Sequence, residues 1–126
     1  MELDDAYANA AYIPEGDSFP TKWETEAVAF RDMTEGAELD LAYGPAARQK
    51  LDLFRPQGQA KGLLIFVHGG FWRMFDKSYW SHLAAGALGR GWAVAMPSYT
   101  LCPEASIGGI TREIASAVSL AAGAVG

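Results

Sequence analysis

The sequence predicts an α/β fold in which an antiparallel pair of strands leads into parallel strands joined by crossover helices. Three observations carry this. Apolar and polar residues alternate with a period of two over residues 39–43 and again from Lys50 to Phe54. Two short runs, 62–67 and 92–96, are apolar almost throughout and end beside glycine or proline. Helical spacing follows each of those runs, over 78–88 and 107–122, and strands alternating with helices form the crossover units of a parallel sheet.

Residues 1–35 read as a helical leader, two short helices around a turn. Asp4 or Asp5 can cap a segment ending near Tyr12, and Pro14, Gly16 and Pro20 then interrupt the pattern. Thr21 or Thr25 is placed to cap a second helix through Met33, with Trp23, Ala27, Phe30 and Met33 along one face. Leu39, Leu41 and Tyr43 alternate with Glu38, Asp40 and Ala42, which marks a half-buried strand ended by Gly44-Pro45. Leu51 and Leu53 mark its antiparallel partner, closed by Pro56 and Gly58. The run 62–67 suits a strand buried on both faces, as in the middle of a helix-covered sheet. Ser78 is placed to cap a helix to Leu88, which Gly89 and Gly91 stop. Trp92 to Met96 forms the next strand, and the last helix, Ile107 to Ala122, carries Ile110, Ile114, Ala117, Val118 and Ala121 along one stripe.

A chain of 126 residues and 13.5 kDa suffices for one domain, and no repeat or linker divides it. The net charge of −5 is unevenly placed: residues 1–40 hold eleven acidic and two basic groups, whereas 41–126 hold four acidic and eight basic. The acidic front reads as a solvated helical surface. With no basic run interleaved with aromatics, nucleic acid is not an expected partner. A single cysteine, Cys102, excludes an internal disulfide and any Cys-rich zinc site. Met1 to Asp5 lacks the basic and apolar regions of a signal peptide, and no apolar run approaches the roughly 20 residues that span a bilayer. A soluble, cytoplasmic protein without a membrane partner is expected.

The chemically informative segment is Val67-His68-Gly69-Gly70-Phe71-Trp72, between a strand and a helix. Two glycines there free the backbone for unusual dihedrals and close approach. Inward-turned main-chain N–H groups at such a site can bind an anion or a developing oxyanion. The same residues also suit a tight glycine turn that happens to contain a histidine. Asp76-Lys77-Ser78 reads as a helix cap or a polar turn, and His82 as a surface or core residue. No partner that would make Cys102 a nucleophile can be assigned from the sequence.

His-Gly-Gly-x-Trp after the third strand resembles the oxyanion loop of the α/β-hydrolases, specifically the arylformamidases (kynurenine formamidases) and the hormone-sensitive-lipase-like esterases. Tyr99-Thr100-Leu101-Cys102-Pro103-Glu104, after the fourth strand, resembles the Tyr-x-Leu-x-Pro-Glu segment of the same families. The resemblance covers about residues 35–126 and implies the first half of a hydrolase core, following the leader at 1–35. It implies oxyanion donors at the backbone N–H groups of Gly70 and Phe71, with His68, Gly69 and Trp72 as scaffold and Trp72 packed beneath the loop. It implies no metal and no organic cofactor.

Acyl transfer in these families needs a serine on a Gly-x-Ser-x-Gly elbow, then an acid, then a histidine. None of Ser18, Ser78, Ser81, Ser98, Ser106, Ser116 and Ser119 has glycine two residues before and two after it. The nucleophile, acid and base are therefore expected outside this chain, which by itself should be inactive. The implied parent acts on small esters or N-formyl arylamides. The alternatives are a naturally truncated interaction or dimerisation module, and one half of a split enzyme. In the family's sheet the third strand lies between the fourth and the fifth, so Leu64–Val67 should present an open apolar edge. Low solubility or a homo-oligomer is the expected consequence.

Overall fold

A computed structural model describes residues 2–126 of the protein. The short helix α1, Glu2–Ala6, and 3₁₀ turns at Asn9–Tyr12 and Gly16–Ser18 precede the longer helix α2, Phe19–Met33. Strands β1, Ala37–Ala42, and β2, Lys50–Phe54, come next, and then β3, Leu63–Ile65. Helix α3, Ala85–Leu88, leads to β4, Ala93–Pro97, and helix α4 spans Ile107–Val125. The four strands form one mixed sheet in the order β1-β2-β4-β3. β1 runs antiparallel to β2, β2 antiparallel to β4, and β3 parallel to β4.

The sheet is covered on both sides, which follows from the alternation in β2. Leu51 and Leu53 point to one face, where they meet Tyr43, Ala95 and the α4 residues Ala117 and Ala121. Phe54 points to the other, where it packs with Val94, Met96 and Ala84, and its ring meets Phe30 of α2 edge-on with centroids 5.6 Å apart. Each large side chain buried in this way contributes about 1.5–3 kcal/mol. β4 lies between β2 and β3 and is buried along its whole length.

Several expectations are corrected. The run 62–67 is not a strand buried on both faces: β3 has only three residues, lies at the sheet edge, and leaves Leu64 42 % exposed. That edge is the open one expected over Leu64–Val67. Helix α2 takes no side-chain cap from Thr21 or Thr25, which lie inside it, and Thr25 bonds back to the Thr21 carbonyl. Met33 ends that helix 84 % exposed, off the packed stripe, and Val118 of α4 is also exposed. In β1 the alternation breaks at a register shift between Glu38 and Leu41, where Asp40 is left-handed with φ 59° and Leu39 turns outward.

The single helix expected over 78–88 is broken into 3₁₀ turns at Lys77–Tyr79 and Ser81–Ala84 followed by α3. Its cap is Asp76 rather than Ser78: the Asp76 carboxylate accepts the Ser78 N–H at 2.7 Å. Arg31 of α2 bonds across the break. Its guanidinium donates to the Ser78 carbonyl and to the Ser81 hydroxyl, both at 2.7 Å, one partner on either side of Trp80. Trp80, between the two turns, packs against Trp23 of α2, with centroids 4.9 Å apart and planes tilted by 37°.

Candidate functional site

The loop that follows β3 is shaped by backbone that few residues tolerate. Gly70 has φ +123°, and Phe71, Trp72 and Phe75 have φ values of +55°, +57° and +69°. Non-glycine residues in this region cost about 1–3 kcal/mol each and persist only where the surroundings hold them. The two glycines are not equivalent. A Cβ on Gly70 would lie 2.5 Å from the Met74 carbonyl oxygen and 2.9 Å from the Phe75 ring, whereas one on Gly69 would meet open space. The N–H groups of Arg73 and Met74 turn back to the Gly70 carbonyl at 3.0 and 3.1 Å. Those of Gly70 and Phe71 donate to no protein acceptor among the described residues.

His68 lies under this loop and is only 3 % exposed. Its ring stacks on Tyr99 with centroids 4.5 Å apart and planes 11° from parallel, and the Tyr99 hydroxyl donates to the His68 carbonyl at 2.8 Å. Nδ1 stands 2.7 Å from the Gly69 carbonyl, so that nitrogen carries the proton. Burial pushes the imidazole pKa below its ordinary value, against the pull of the Gly69 carbonyl, and the Arg48 charge adds to the lowering. The ring is therefore neutral at pH 7.

The two sequence motifs, some thirty residues apart, form one unit. Besides the His68–Tyr99 stack, the Cys102 N–H donates to the Trp72 carbonyl at 2.8 Å. Thr100 is in turn anchored to α4, its N–H and hydroxyl bonding the Glu113 carboxylate at 3.0 and 2.7 Å. Trp72 departs from expectation: its side chain is 48 % exposed and does not pack beneath the loop, which is held through its main-chain carbonyl instead. Phe71 is 63 % exposed. His82 faces Glu26 of α2 at 3.4 Å, away from the loop.

Lys77 ties the far end of the loop to the sheet. Its ammonium bonds Asp40 at 2.7 Å and the buried Asp52 at 2.8 Å. Burial works against that charge, but the two carboxylates more than offset it and raise the lysine's pKa. Arg48, in the β1–β2 turn, reaches across to the Tyr99 carbonyl through Nε at 2.8 Å and to the Phe75 carbonyl at 2.5 Å.

A cavity of about 870 Å³ opens between the loop and the N-terminal helical segment. Gly70, Phe71, Phe75 and Trp80 line one side and Phe19 and Trp23 the other. The Trp23 ring meets Phe19, Phe75 and Trp80 at centroid separations of 5.9, 6.2 and 4.9 Å, so α2 and the loop share one aromatic cluster. Phe19, Trp23 and Arg48 are not among the site residues expected from the sequence. Trp23 stood on a helical apolar stripe, which signals burial but not a cavity wall, and Arg48 carried no local signal. Among the described residues no group of His, Cys, Asp and Glu could hold a metal ion, and no helix is long and apolar enough to cross a membrane.

No family model matches the chain. It is 37 % identical over 83 residues to the kynurenine formamidase of Drosophila melanogaster and 31 % identical over 68 residues to that of Danio rerio. Those matches span 61 % and 52 % of this chain but only 27 % and 23 % of the two relatives. Among solved structures, that of a candidate thioesterase from Silicibacter sp. superimposes with a TM-score of 0.96 at 55 % identity, covering all of this chain and 48 % of the other. Esterase B from Lactobacillus rhamnosis shares the fold, with a TM-score of 0.60 at 19 % identity over 81 % of this chain and 38 % or less of its own. The chain thus spans about half or less of the length of the proteins it matches. In sequence the chain is similar to part of the kynurenine formamidases, and in fold to part of the α/β-hydrolase structures of the thioesterase and esterases.

Proposed function

We propose that this chain supplies the oxyanion-binding half of a serine hydrolase that cleaves small carboxylic esters or N-formyl arylamides. The observation that carries the reading is the pair of main-chain donors at Gly70 and Phe71. They lie on left-handed backbone, lack a protein acceptor among the described residues, and border the aromatic cavity. When a nucleophile adds to a substrate carbonyl, its oxygen gains negative charge. Donors already fixed in place stabilise that charge without reorganising, and each is worth about 10²–10³ in rate. His68 has a scaffold role: neutral, stacked and buried, it supports the loop rather than relaying a proton. The aromatic walls at Phe71, Phe75, Trp80 and Trp23 suit an aryl group or a short acyl chain. The nucleophile, acid and base lie outside these residues, since no serine here stands on a Gly-x-Ser-x-Gly elbow.

Two measurements test this. A serine-directed fluorophosphonate should leave the 126-residue chain unlabelled; stoichiometric labelling would overturn the assignment of the nucleophile. Reading the coding DNA past codon 126 should reveal an in-frame Gly-x-Ser-x-Gly within a few tens of residues. A stop with no such element would sink the hydrolase reading in favour of a non-catalytic module.

A further inference from the structure

We infer that Arg48 is a positioning residue that sets the shape of the loop at 68–75 from outside it; the catalytic meaning of this rests on the oxyanion reading above. Arg48 belongs to neither motif. It sits in the turn between β1 and β2 and projects its guanidinium between the two segments that form the site. Nε donates to the Tyr99 carbonyl at 2.8 Å and a terminal nitrogen to the Phe75 carbonyl at 2.5 Å. Each acceptor is at a point of leverage. Phe75 is the last left-handed residue of the loop, and Tyr99 carries the ring on which His68 stacks.

The chemistry requires arginine in particular. Left-handed backbone at Phe71, Trp72 and Phe75 does not sustain itself and must be held by its surroundings. A guanidinium presents rigid, planar donors that can serve two carbonyls at a fixed angle, whereas an ammonium on a flexible stem acts as a point charge. Bonds from an ionised donor are also roughly twice as strong as neutral ones. Arg48 can therefore hold the end of the loop at a set distance from the second motif, so that the Gly70 and Phe71 donors keep their place.

Site-resolved amide exchange on the full chain and on Arg48→Lys and Arg48→Met tests the inference. The reporters are the hydrogen-bonded amides of Met74, Arg73 and Cys102, which hold the loop closed, against Leu53 and Ala95 in the central strands. Both variants should exchange about ten- to a hundred-fold faster at the first three sites. Leu53 and Ala95 should stay within about two-fold of the unsubstituted chain, a local signature that a merely structural role does not give. Uniform acceleration, or loss of the fold in both variants, would make Arg48 a residue of global stability and overturn the inference. Unchanged exchange at the three reporters would overturn it too, and so would lysine behaving as arginine does. None of these outcomes depends on oxyanion binding, so a failure of the hydrolase reading in the labelling and coding tests remains separately visible.

Discussion

Gly70→Ala, set against Gly69→Ala, puts the loop geometry to a quantitative test. At Gly70 the backbone has φ +123°, where an L side chain is strained by about 1–3 kcal/mol. The added methyl would also stand 2.5 Å from the Met74 carbonyl oxygen, a backbone atom that cannot rotate away, and 2.9 Å from the Phe75 ring. The loop must therefore shift as well as strain, so the loss should reach at least the upper part of that range. At Gly69 φ is not positive and a methyl meets nothing within 4 Å. Alanine there narrows the unfolded ensemble and should be neutral or stabilising by about 0.4–1 kcal/mol. Urea denaturation of the three chains would give the two differences, and thermal midpoints should separate by several degrees, at about 2–8 °C per kcal/mol for domains of this size class. Equal midpoints for the two variants would refute the loop geometry. In any longer protein that hydrolyses esters through this loop, Gly70→Ala should also lower kcat by about 10²-fold or more by displacing the donors.

Two further outcomes follow from the same structure. His68 is held neutral by burial, so its folded pKa lies below the ordinary 6.5 of the unfolded chain. Between those two values the unfolded state binds a proton that the folded state does not. Stability should then fall as pH drops below about 6.5, by up to about 1.4 kcal/mol per pH unit until the folded pKa is reached; His68→Gln, monitored by urea midpoints from pH 5 to 8, should abolish that slope. The exposed edge at β3 should drive self-association of the isolated chain, and Leu64→Lys should suppress it by placing a charge on the open strand; a monodisperse wild-type monomer in sedimentation velocity would contradict this.

Local pattern was sufficient for much of the fold. The period-two alternation around Leu51 and Leu53, the apolar run ending at Pro97 and the stripe of Ile110, Ala117 and Ala121 all became elements of the expected type, in the expected order, with Ser106 capping α4 through the Gly109 N–H. Such signals are readable because a strand or helix face repeats within a few residues, and burial selects the apolar phase of that repeat. The two motifs were legible for a related reason: glycine at 70 is demanded by backbone sterics that leave their mark on residue type.

What sequence alone determined, then, was the α/β class, the place of the glycine loop after β3, and the want of an elbow serine. Tertiary structure alone decided the rest. It broke the segment after Asp76 into short turns, with Arg31, 47 residues before Ser78, bonded across them. It turned Trp72 outward, made a cavity wall of Phe19 and Trp23, and brought Arg48 to Phe75 and Tyr99. Each of these depends on partners distant along the chain. A side chain's identity records what it can bond, but only the folded backbone settles which acceptor comes within its reach.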